Sequence, residues 1–97
     1  MSIDEALNVA RVAIHKYFMD AQALPVNATY KDIEASRNTA IGAIMQFTNT
    51  KREHGEMSLS PYEERSLESF DAAEIMMQYK LGLTEQEVYG GGKCACC

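Results

Sequence analysis

Apolar residues recur along this chain at helical spacing in three separate runs, with polar caps and helix breakers between them. In the first run Ile3, Leu7, Ala10, Ile14, Tyr17, Ala21 and Leu24 share one stripe, and Asp4, Arg11, Lys16 and Asp20 fall largely off it. That period predicts an amphipathic α-helix over about 2–23. Ser2-Ile3-Asp4-Glu5 fits a capping box at its start, and Pro25 ends it near Ala23. Such a stripe packs into a core, and one this narrow also suits a helix lying against a partner subunit.

Pro25-Val26-Asn27-Ala28 reads as a tight connection, after which either Asn27 or Thr29 can cap a second helix, with Asp32 well placed in its first turn. This helix is predicted over about 29–53, with Tyr30, Ile33, Ile41, Ile44 and Thr48 on its stripe and Ala40, Met45 and Phe47 widening the face. Arg37 falls where the stripe wants an apolar residue. A guanidinium there must snorkel, pair with a carboxylate or meet an anion at an interface. Gly42 costs about 1 kcal/mol relative to alanine in a helix interior, which suggests close approach of another backbone or simple tolerance. Lys51-Arg52-Glu53-His54-Gly55 closes the helix with cations in the last turn, read as a solvated end, and a glycine just past it.

Ser60 as cap, Pro61 at the first helical position and Glu63 at the third mark the start of a third helix, predicted over about 60–81. Leu67, Phe70, Ala73, Met77 and Leu81 share its face, Met76 flanks them, and Gly82 stops it. The expected architecture is all-α: an N-terminal helix followed by an antiparallel αα-hairpin over 30–81, in one domain over 1–89. Thr84-Glu85-Gln86-Glu87 could cap one more turn over 84–89, and residues 90–97 read as a flexible Gly/Cys tail. With 97 residues the chain buries only a modest share of its surface, so a lone monomer is possible but self-association into a homo-oligomeric helical bundle is expected.

Composition narrows the function classes. A content of 46% hydrophobic and 24% charged residues belongs to ordinary globular domains. The formal net charge of -5 argues against a broad DNA-binding footprint, while leaving room for a small anion where a few cations converge. No apolar run approaches the roughly 18 residues of a membrane span, and the first residues lack the basic start of a signal peptide, so a cytoplasmic protein is expected. Cys94, Cys96 and Cys97 cluster at the C-terminus, which disfavours both a disulfide scaffold and a spaced zinc site. No nucleophile with its base, no carboxylate pair and no phosphate loop has a recognisable spacing. His15, on the polar side of the first helix, and His54, at a helix end, read as solvated or capping. The chain is therefore expected to be no enzyme and to use no metal or cofactor.

The segments Tyr30-Lys31-Asp32-Ile33 and Ser60-Pro61-Tyr62-Glu63-Glu64-Arg65-Ser66-Leu67, followed by Phe70, Ala73, Glu74 and Met76-Met77, resemble the helical-hairpin domain of phage anti-CBASS sponge proteins, a domain shared with some anti-Thoeris sponges. The resemblance covers about half of the chain. It implies non-catalytic sequestration of cyclic di- or trinucleotide immune messengers, in pockets between subunits of a compact symmetric oligomer. A phage-encoded protein of this kind would act in the host cytoplasm.

Two phosphates and two bases call for Arg or Lys forks, helix N-termini and aromatic faces. Tyr30 and Lys31 offer a ring, a cation and free amides at one helix start. Tyr62, Arg65 and Ser66 offer a similar set at the next, and Arg37 and Asn38 could reach a symmetry-related pocket. The alternative from the residues alone is an acidic helical interaction module that inhibits or bridges a host protein through the first helix's stripe or its acidic surface.

Overall fold

The computed structural model describes residues 1–25 and 28–82. Three long helices account for most of them: α1 (Ile3–Ala23), α2 (Glu34–Glu53) and α3 (Pro61–Leu81). One turn of 3-10 helix, Tyr30–Asp32, leads into α2. No strand occurs among the described residues. The proposed cap at Asn27, the turn over 84–89 and the Gly/Cys tail lie outside them.

The starts of α1 and α3 form where the residues put them, whereas α2 begins at Glu34 rather than near residue 29, because Tyr30–Asp32 winds as a 3-10 turn. At α1 the Ser2 hydroxyl accepts the Glu5 amide at 3.1 Å and the Glu5 carboxylate accepts the Ser2 amide at 2.9 Å. At α3 the reciprocal pair is Ser60 and Glu63, at 3.2 and 2.8 Å. Each box satisfies two amides that a helix start would otherwise leave unpaired. Gly82 closes α3 in the left-handed conformation, φ 69°, which a side chain would disfavour.

The central helix is α1, which packs along both α2 and α3. Its stripe is the spine of the core: Leu7, Ala10, Ile14, Tyr17, Ala21 and Leu24 are all buried, joined by Ala6. Ala6, Leu7 and Ala10 meet Ala43 and Phe47 of α2, while Ile14, Tyr17 and Ala21 share a cluster with Ile33, Ala40, Ala73 and Met77. The stripe from Leu7 to Leu24 is thus consumed inside the chain, and Ile3 at its start is half-buried.

Paired side chains give the directions. Asp20 accepts from Ser36 while Ala10 and Phe47 share a cluster, so α1 and α2 run antiparallel. Tyr17 stacks at a tilt on Phe70, 5.5 Å between centroids, and Lys80 donates to the Gln22 and Leu24 carbonyls, so α1 and α3 run parallel. α2 and α3 are consequently antiparallel. They are joined by long side chains, Arg37 to Glu74 at one end and Lys51 to Glu63 at the other, with α1 packed along both.

The buried face of α2 differs from the predicted one. Ala40, Ala43, Phe47, Thr50 and Lys51 are buried, Ile41 and Ile44 are half-buried, Thr48 is exposed, and Met45 is 58% exposed. The 3-10 turn explains the shift: it winds at about three residues per turn, so a stripe counted from Tyr30 at 3.6 falls out of phase. Lys51 also departs from the solvated helix end expected of it. Its ammonium lies 2.7 Å from the Glu63 carboxylate, and the residue is 4% exposed.

Candidate functional site

A groove of about 680 Å³ runs between α1 and α3, within the usual range for small-molecule sites. From α3 come Tyr62, Arg65, Ser66, Ser69 and Ala72; from α1 come Asn8, Arg11, Val12, Ile14, His15 and Phe18. Among these lining residues are two guanidinium groups and an imidazole, and there is no carboxylate. In a chain of net charge -5 this is a local reversal of sign.

The parallel register of α1 and α3 builds the groove. Asn8, Arg11 and His15 follow one another at steps of three and four, forming a polar ridge beside the buried stripe. Arg65, Ser66 and Ser69 form the facing ridge on α3. At one end the Arg11 guanidinium lies over the Tyr62 ring, 5.4 Å from its centroid, and Tyr62 remains half-exposed. Arg65 and Arg11 make no ion pair among the described residues, so their planar donor forks are available to an anion. Phe18, Val12 and Ala72 supply apolar wall.

The serine hydroxyls are turned to their own helix. Ser66 donates to the Tyr62 carbonyl at 2.9 Å and Ser69 to the Ser66 carbonyl at 2.6 Å, and neither donates to His15. The capping box of α3 likewise takes up the Glu63 amide. At that helix start the amide thought free for an anion is already bonded, and cationic side chains provide the electrostatics instead.

Of the residues named from sequence, Tyr62, Arg65 and Ser66 meet in this groove. Tyr30 and Arg37 come together elsewhere. Arg37 reaches Glu74 through two prongs, Nε to Oε1 at 2.6 Å and Nη2 to Oε2 at 3.1 Å, and donates to the Tyr30 hydroxyl from Nη1 at 3.1 Å. Tyr17 donates to the same Glu74 carboxylate at 2.5 Å. Hydrogen bonding to Glu74 raises the Arg37 pKa and so holds the guanidinium charged, while burial, followed by the Glu74 bond, raises that of Tyr17. Of the three options for Arg37, the structure takes the carboxylate pair. Lys31 and Asn38 are exposed and line neither feature.

The two helix starts are therefore separate. Tyr62 and Glu74 stand twelve residues apart on α3, about 18 Å at the α-helical rise. Arg11 and His15 escaped the sequence reading because each looks like an ordinary polar residue on α1. Their spacing on one ridge was visible, but the ridge they would face was not. Among the described residues no three or more His, Cys, Asp or Glu side chains converge as metal ligands, and no helix is long and apolar enough to cross a membrane. The chain matches no protein-family model, no curated protein and no solved structure.

Proposed function

We propose that this chain binds and sequesters a small phosphorylated ligand of the cyclic di- or trinucleotide class in the α1–α3 groove, without cleaving it. The observation that carries the reading is the carboxylate-free lining with Arg11, Arg65 and His15 in an otherwise acidic protein. Guanidinium forks suit phosphodiester oxygens. The half-exposed Tyr62 ring at the groove end suits a base, since base–aromatic stacking is worth about 1–3 kcal/mol. The resemblance of the α3 start to sponge proteins points to the same ligand class.

Binding without chemistry is supported by the hydroxyls. Ser66 and Ser69 donate to backbone carbonyls rather than to a base, so neither is activated as a nucleophile. A sequestering protein needs only affinity and abundance. Self-association belongs to this reading as well, since the resembled proteins are symmetric oligomers.

A panel of cyclic dinucleotides and cyclic trinucleotides, cyclic GMP-AMP and cyclic tri-AMP among them, tests the proposal. The pure protein should deplete at least one of them from solution, rise in melting temperature with it, and release it chemically intact on heat denaturation. Failure to deplete any of the panel would remove the reading, and recovery of a linearised product would replace it with an enzyme.

A further inference from the structure

Residues 38–50 of α2 include no charged side chain, although 24% of the whole chain is charged. Part of this run faces α1, where charge would be costly. The outward part packs against neither α1 nor α3; among the described residues only Met1 borders it, sharing a shallow hollow with Gly42, Met45, Gln46 and Asn49. Asn38, Gly42, Met45, Gln46 and Asn49 are all exposed and, at 100° per residue, share one side of the helix with Ala35 and, at its last residue, Glu53, the one charge on this side. Exposed helix faces normally carry charge, whereas the cores of protein interfaces are depleted of it. Met45, 58% exposed, is the kind of flexible apolar residue that interfaces enrich.

Gly42 sits at the middle of this face. Among the described residues a Cβ added there meets no atom within 4 Å, so none of them requires a glycine. The missing side chain leaves a flat spot over which a second helix can approach closely, since interaxial distance follows the side chains at the crossing.

The edges of the face identify the occupant. Glu34 in the first turn and Arg52 in the last lie on the same edge, both exposed. Among the described residues neither makes an ion pair, and the Arg52 guanidinium donates to the Asn49 side chain at 2.9 Å. When a second α2 is laid antiparallel across the first, with the twofold axis beside Gly42, equal edges meet. Each Glu34 then stands beside the Arg52 of the other copy, twice over.

We propose that the face of α2 around Gly42, uncharged from Asn38 to Asn49, is a homodimer interface whose occupant is a second copy of this chain, antiparallel and centred on Gly42. A single pair of helices some 30 Å long buries an area at the small end of specific interfaces, so the dimer is concentration-dependent. The interface lies on α2 and the groove between α1 and α3. The failure of ligand binding and the failure of dimerisation are therefore separate results.

Sedimentation velocity of the full chain, from about 1 µM to about 1 mM, measures the equilibrium. Reducing buffer keeps Cys94, Cys96 and Cys97 from crosslinking copies. The expected result is a reversible monomer–dimer equilibrium that Gly42→Glu abolishes, with circular dichroism showing that variant still helical. Glu34→Arg should raise the dissociation constant about tenfold, and adding Arg52→Glu should restore it. A monomer at every concentration overturns the proposal, as does an oligomer indifferent to Gly42→Glu. A dimer that Gly42→Glu abolishes but that ignores both charge reversals overturns the antiparallel register.

Discussion

Arg37 of α2 and Glu74 of α3 form a two-pronged ion pair across 37 positions of sequence, and the Glu74 carboxylate also accepts the Tyr17 hydroxyl of α1. One acid thereby holds all three helices. Glu74 is 1% exposed, which makes its partners indispensable, because a buried charge stripped of its counter-ion is strongly destabilising.

Replacement of Glu74 by alanine should cost about 3–5 kcal/mol, because it leaves Arg37 as an unpaired, largely buried cation and Tyr17 without an acceptor. Urea unfolding read by circular dichroism measures the loss. Glu74→Gln, which keeps the volume and one acceptor, should lose less.

Acid should destabilise the fold through Glu63. Its pKa is lowered from the ordinary 4.5, first by the Lys51 hydrogen bond and then by the Ser60 amide. A carboxylate with a lowered folded-state pKa contributes stability that is complete above its unfolded value and disappears as pH falls through the folded one. The melting temperature should therefore decline below about pH 4.5, and less steeply in a Glu63→Gln variant.

Alkali should act through Tyr17. Its pKa is raised well above the ordinary 10.0, chiefly by burial. A raised folded-state pKa contributes stability that is complete below the unfolded value and is lost as pH rises past it. Phenolate absorbance should show Tyr17 ionising only together with unfolding.

In the groove, Arg65→Ala and Arg11→Ala should each weaken ligand binding by roughly tenfold or more, since a charge-assisted hydrogen bond contributes about 1.5–3 kcal/mol. Both are exposed, so the melting temperature of the free protein should hardly change. Lys31→Ala, at the other helix start, should leave binding unaltered. Calorimetric titration separates the two helix starts.

Removing the cap hydroxyl with Ser60→Ala should cost about 1 kcal/mol, because the Glu63 amide loses its acceptor. The loss should appear in thermal unfolding.

The three helices and the caps of α1 and α3 were legible in the sequence, because both depend on neighbours within one or two turns, whereas Thr29 precedes a 3-10 turn and α2 itself starts at Glu34 without a side-chain cap. The Ser2 and Ser60 boxes, the stripe of α1 and the stop at Gly82 all follow from such local spacing. The phase of α2 did not, since the 3-10 turn at Tyr30–Asp32 rotates everything after it. Which helix lies between which was equally hidden. Periodicity shows that α1 has an apolar face, but only the packed chain makes α1 the central helix and sets it parallel to α3.

That one tertiary choice decides the rest. It sends Arg37 to Glu74 rather than to a ligand, buries Lys51 against Glu63, and turns Arg11 and His15 toward Arg65. The ring and cation at the start of α3 were visible as residues. Their α1 partners, more than forty residues earlier in sequence, become neighbours only because burying the apolar stripe of α1 fixes its rotation and register against α3.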